Sequence, residues 1–299
     1  MDMRLLTCLV GALAACGSNS PVANPMDLAV ATDLAASNPL VAARPYQYEV
    51  PSNYDSSHPT PLILLLHAYS LDGAGQNTYF GFDHIINQAG FLLAYPDGTL
   101  DKHSFHYWYA ANAGATPGAY VDDVAYLTAV IDDMSAHYNV DPQRIYVVGH
   151  SNGAFMAHHL ACRIGDRLAA VLTLAGENWV DPAECPAGAG LSLADVHGDA
   201  DGTINYNGGT LEGLDYLGAR ASTQVWAARG GCPMTTDTSA PPINVDSSLP
   251  GNETAIERWT GCPNVDVELW TVHGGDHIPA LTAQWPTQVW NFLSAHPKS

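Results

Sequence analysis

Residues 145–156 constrain this chain more than any other stretch. Ile145, Tyr146, Val147 and Val148 run into Gly149-His150-Ser151-Asn152-Gly153, and Ala154, Phe155 and Met156 continue with helical spacing. A β-branched apolar run, a Gly-x-Ser-x-Gly turn and a helix in immediate succession form a nucleophile elbow. Gly149 and Gly153 lack the Cβ atoms that would collide where strand and helix pass closely. The turn lifts the Ser151 hydroxyl above the end of a sheet, and the first free N–H of the helix, that of Asn152, faces the place where negative charge would develop.

Such an elbow needs a sheet around it. An edge strand is expected over 46–50, and a wholly apolar strand over 62–66 belongs at the centre of a parallel sheet covered on both faces. A helix over 78–89, a strand over 91–95 and an amphipathic helix through Val124, Leu127, Ile131, Met134 and Tyr138 precede the elbow. Behind it come strands over 169–174 and 193–196, a helix over 211–228, a Pro/Thr/Asp-rich segment to Thr254, a strand over 265–272 and a helix over 282–295. Alternating strands and helices predict an α/β fold, a doubly wound and mostly parallel sheet forming a single domain over 44–299.

A serine nucleophile requires a base, and the base an acid. Both are sought in loops after strands. His197-Gly198-Asp199-Ala200-Asp201-Gly202 offers Asp201 as the acid with Asp199 as its rival; His273-Gly274-Gly275-Asp276-His277 offers His277 as the base with His273 as its rival. The chain order Ser, Asp, His is that of the α/β-hydrolase arrangement. His67-Ala68-Tyr69-Ser70, after the central apolar strand, is the expected source of a second oxyanion N–H. His158 and His159 read as surface or packed residues. No metal is expected: His103 and His106 have ligand-like spacing without a Cys or carboxylate partner, and the Asp-x-Asp-Gly segment at 199–202 lacks the later Glu of a calcium loop.

Taken together, His67-Ala68-Tyr69, Asp122-Asp123-Val124, Gly149-His150-Ser151-Asn152-Gly153, His197-Gly198-x-x-Asp201, Tyr206-x-Gly208-Gly209 and Gly274-Gly275-x-His277 resemble the secreted polyhydroxybutyrate depolymerase and feruloyl esterase group of α/β hydrolases. The resemblance extends over about residues 44–296. It implies Ser151, Asp201 and His277 as a catalytic triad, with Tyr69 and Asn152 N–H groups as the oxyanion hole; no cofactor is expected, because nothing in the chain resembles a nucleotide or metal motif. The chain departs from the group at Ala68, where Gly is usual, and at Ile278-Pro279, where a Trp-Pro pair is common. Both changes touch the pocket wall. Four cysteines of the domain, Cys162, Cys185, Cys232 and Cys262, allow three pairings; Cys162–Cys185 and Cys232–Cys262 close the shortest loops and look like the pattern of the group.

The amino terminus points to export. Residues 1–16 carry a weakly basic start, an apolar run too short to span a bilayer, and Leu13-Ala14-Ala15-Cys16, which resembles a bacterial lipoprotein signal with Cys16 as the lipidated residue; a plain secretory signal is the alternative. Residues 17–43, rich in Ala, Asn, Ser, Pro and Asp, read as a flexible linker. With 30 acidic against 10 basic residues and a net charge of −20, neither nucleic acid nor an anionic bilayer surface is an expected partner. Membrane contact is expected only through the lipid, and the domain itself is expected as a monomer. The substrate expected is an ester, small or polymeric, of a short or aromatic acyl group. Tyr69, Tyr107, Trp108, Tyr109 and Trp179 are expected to form aromatic walls for it, with His150 as a further contact. Two other readings stand beside this one: a serine peptidase on the same fold, and a binding lipoprotein without activity.

Overall fold

The computed structural model describes residues 38–112, 120–186, 188 and 190–298, so the signal-like segment, Cys16 and nearly all of the linker lie outside the described residues. The chain runs α1 (Pro39–Ala43), β1 (Gln47–Glu49), β2 (Thr60–Leu66), α2 (Gly73–Phe80), α3 (Ile86–Ala89), β3 (Leu92–Tyr95), β4 (Thr99–Leu100), β5 (His106–Tyr107) and α4 (Asp123–His137). It continues with β6 (Val140–His150), α5 (Asn152–Ile164), β7 (Ala170–Leu174), β8 (Ser192–Gly198), β9 (Gly208–Leu211), β10 (Leu214–Leu217), α6 (Ala219–Arg229), β11 (Thr236–Asp237), β12 (Thr254–Trp259), β13 (Val267–Val272) and α7 (Trp285–Ala295).

Nine strands form one sheet in the order β1-β3-β2-β6-β7-β8-β13-β12-β11. From β3 to β13 neighbours are parallel, and β1, β12 and β11 are antiparallel additions at the edges. Strand β2 shows why an unbroken apolar run is needed at the centre. Leu62, Leu64 and Leu66 pack with Tyr126, Leu127, Val130 and Phe155 on one face, while Ile63 and Leu65 pack with Phe80, Phe82, Trp285 and Phe292 on the other. Each buried leucine contributes about 2 kcal/mol of apolar transfer. From β2 the chain winds outward to β3, then returns past β2 to β6. The strand order therefore reverses between β2 and β6, the place where open α/β sheets build their sites. Among the described residues no helix is long and apolar enough to cross a membrane.

The structure corrects several expected elements. The helix expected over 78–89 is two, because Gly81 adopts φ 72, caps α2 in the left-handed region and hands over to a short 3-10 turn before α3. The helix expected over 211–228 is a hairpin followed by a shorter helix: Glu212 and Gly213, at φ 50 and 85, turn β9 into β10, and α6 begins only at Ala219. Strand β12 was not anticipated. The expected linker also ends early, since α1 buries Val41, and Arg44 beyond it places its guanidinium 3.5 Å from the centre of the Tyr126 ring and 2.6 Å from Asp123 Oδ1. Both expected disulfides are present, Cys162–Cys185 and Cys232–Cys262.

Candidate active site

Strand β6 ends against Ser151, which takes φ 54 and ψ −120 before α5 begins at Asn152. A side chain on Gly149 would overlap the Gly153 carbonyl, and one on Gly153 would overlap the carbonyls of Leu66 and His67. The elbow is thus pressed against the end of β2, whose Leu66 pairs in register with Gly149. Tyr69, three positions beyond Leu66, lies in the loop over this same edge. Asn152 opens α5, so its N–H has no acceptor within the helix.

Two further loops reach the serine. His277 Nε2 lies 2.8 Å from Ser151 Oγ, and its Nδ1 lies 2.8 Å from Asp201 Oδ2. Asp201 Oδ1 accepts the N–H groups of Thr203 at 2.7 Å and Ile204 at 2.8 Å. Burial pushes the Asp201 carboxyl up, but hydrogen bonds from His197 and His277 outweigh it and hold the group well below the usual carboxylate range. The acid and base loops are locked side by side: a Cβ on Gly198 would overlap the Gly275 carbonyl, which accepts the Ala200 N–H at 3.1 Å. The rivals Asp199 and His273 are brought to each other instead, with Nδ1 2.8 Å from Oδ2, and form a brace at the surface.

Other expected site residues fall differently. Trp108 is 1% exposed and cannot wall a substrate cleft; it donates from Nε1 to the His67 carbonyl, and its backbone pins Asn152 from both sides, N–H to Oδ1 at 2.7 Å and carbonyl to Nδ2 at 3.0 Å. Tyr107 and Tyr109 are buried as well. His150 is also buried, with Nε2 3.1 Å from the His277 carbonyl, and burial lowers it to about 4, so it supports the base loop as a neutral ring. Trp179 stacks on Phe155 at 4.7 Å and lines a groove of about 590 Å³ with Pro182, Leu217 and Val225, to which no triad candidate contributes. Tyr69 is 46% exposed, donates to Asp101 Oδ2 and meets Phe105 edge-on.

His103 and His106 do not converge: His106 Nδ1 donates to the Gly98 carbonyl, and His103 is exposed. A different group was missed. His158, Glu177 and Asp195 are buried with ligand-type atoms within 4.8 Å of one another. Trp226 Nε1–H donates to His158 Nδ1 at 3.0 Å, which takes up that lone pair and places the proton of the neutral ring on Nε2. Sequence alone reads His158 only as a surface or packed residue, and buried Glu or Asp residues scattered along a chain carry no local signal.

The sheet and the elbow define an α/β hydrolase fold. Solved structures share it: an acetyl xylan esterase from Aspergillus awamori superposes with a TM-score of 0.61, covering 83% of this chain and 93% of that one, at 15% identity. Residues 48–191 match the family model for "Esterase PHB depolymerase". Feruloyl esterase B of Piromyces equi is 30% identical over 165 residues, 52% of this chain and 29% of its own length. A putative esterase of Nocardia uniformis subsp. tsuyamanensis, NocK, is 27% identical over 245 residues, 76% of this chain and 65% of its own. The chain is similar to the esterase group that this family model and these relatives define, and it spans less than two thirds of the length of either curated relative.

Proposed function

We propose that the protein is an exported serine hydrolase that cleaves carboxylic esters of short or aromatic acyl groups through an acyl-enzyme. The observation that carries this reading is the continuous contact from Ser151 Oγ through His277 to Asp201. Ser151 attacks the ester carbonyl while His277 takes its proton, and the negative oxygen is received by the N–H groups of Tyr69 and Asn152, one such donor being worth about 3 kcal/mol. His277 then protonates the leaving alcohol, and water repeats the sequence to release the acid. Asp201 orients His277 and stabilises its cation. Exposed Tyr69, Phe105 and Ile278 beside these loops give the acyl group an apolar rim and favour flat or short acyl chains. Two disulfides support an oxidising compartment, and Cys16 is the proposed anchor.

Hydrolysis of p-nitrophenyl butyrate and palmitate, methyl ferulate and polyhydroxybutyrate by the wild type and Ser151→Ala tests this. Butyrate should exceed palmitate, methyl ferulate should be cleaved, and Ser151→Ala should lose about a millionfold in kcat with the fold intact. Activity of the variant above a hundredth of wild type removes the nucleophile; preference for palmitate without cleavage of ferulate removes the substrate class.

A further inference from the structure

Behind Asp201 lies a second buried row of titratable groups. His197, on β8, is fully buried, and oxygen atoms face both of its ring nitrogens. Nδ1 is 2.6 Å from Glu177 Oε1, while Nε2 is 2.8 Å from the Ile204 carbonyl and 3.2 Å from Asp201 Oδ2. A carbonyl and an ionised carboxylate only accept hydrogen bonds. A neutral imidazole would therefore turn a lone pair toward an acceptor on one side or the other, whereas the imidazolium satisfies both. The neighbouring acid completes the balance. Asp195, on the same strand and receiving the Thr173 hydroxyl, is raised well above the usual range by burial and by Glu177, so the proton shared between these two acids resides on Asp195 and Glu177 stays charged. Burial would pull His197 down, but its bonds to Asp201 and Glu177 prevail and push it up to about 10.

We propose that His197 is a positioning residue for ester hydrolysis, held as an imidazolium between Glu177 and Asp201 so that Asp201 stays ionised and aimed at His277. This rests on the reading of Ser151, His277 and Asp201 as the triad. Asp201 Oδ1 is occupied by backbone N–H groups, so Oδ2 alone serves both His277 and His197. A positive charge behind Asp201 acts on the reacting centre through the shared Oδ2, so its removal is read in the acid limb of turnover. The groups facing His197 are Asp201 and Ile204 in the loop after β8, Asp195 on β8, Glu177 after β7 and the Tyr206 ring, 5.7 Å away edge-on and bonded to Thr271 of β13. His158 of α5 and Thr223 of α6 close the row behind Glu177 and Asp195.

The test joins a nitrogen spectrum of the full chain with kinetics of His197→Gln and Glu177→Gln. In the wild type both His197 nitrogens should carry protons from pH 6 through pH 8, at shifts of an imidazolium. His197→Gln should lose about tenfold in kcat with KM within about twofold, and the acid limb of kcat/KM should move up by about one pH unit; Glu177→Gln should move it the same way by less. A neutral His197 at pH 7, or a folded His197→Gln with an unmoved acid limb, overturns the proposal. Should His197→Gln fail to fold, the wild-type spectrum and Glu177→Gln decide it. Failure of the triad reading is separate, because it appears as activity retained by Ser151→Ala.

Discussion

Ser151 occupies a backbone conformation that L side chains rarely adopt, with φ 54 and ψ −120. Such a position stores about 1–3 kcal/mol, retained here because the packing of β2, β6 and α5 leaves the turn no other course. Glycine would relieve that strain while costing about 0.5–1 kcal/mol through the unfolded chain. Ser151→Gly is therefore expected to be at least as stable as Ser151→Ala in urea unfolding, the reverse of the order at an ordinary position. At the same scale, His273→Ala should keep hydrolysis within about threefold while His277→Ala abolishes it, because His273 braces Asp199 at the surface and touches no other triad candidate. The sequence left these choices open, since each loop presents its acid or its histidine twice within a few residues. The elbow was legible because its glycines, serine and flanking runs are contiguous. The roles of Trp108 and His150 were not, because burial by distant segments decides whether a ring lines a cleft or supports one.

Elements were readable wherever a single period fitted. Strand β2 is apolar on both faces because both are covered, and α4 carries one apolar stripe. The expected helix at 211–228 failed for a definite reason: Leu211 and Leu214, three apart, suit one face of a helix equally well as a cross-strand pair, and in the structure they are direct partners across a two-residue turn. Strand β12 was hidden because Ala255, Glu257 and Arg258, none of them buried, interrupt its apolar alternation within a polar stretch. The disulfides act on elements too. Cys162 ties α5, the helix behind the elbow, to Cys185, and Cys232–Cys262 joins the chain beyond α6 to that beyond β12, with separations of 23 and 30 residues. Replacing Cys232 and Cys262 by Ser should lower stability by about 3 kcal/mol in denaturant unfolding.

Across the whole molecule, buried histidines set the response to acid. His67, His150, His158 and His159 are each lowered by burial from 6.5 to about 4. Their unfolded forms bind protons at a pH where the folded forms do not, so the stability they contribute is full above 6.5 and lost as pH falls toward 4. His197 has the opposite sign: raised to about 10, it stabilises fully below 6.5 and loses that contribution as pH climbs through 10. The melting temperature should thus fall on both sides of neutrality, steeply toward pH 4, and a profile flat from pH 4 to 7 would refute the acid side. Arg44 adds a mechanical consequence. It grips Asp123, whose other oxygen takes the Tyr109 N–H, one peptide along from the Trp108 backbone that clasps Asn152. Load on the chain upstream of α1 passes through the buried Val41 to a contact that leads to the floor of the elbow, and a protein held by its amino end and pulled taut would register tension as slower turnover before any strand of the sheet gave way.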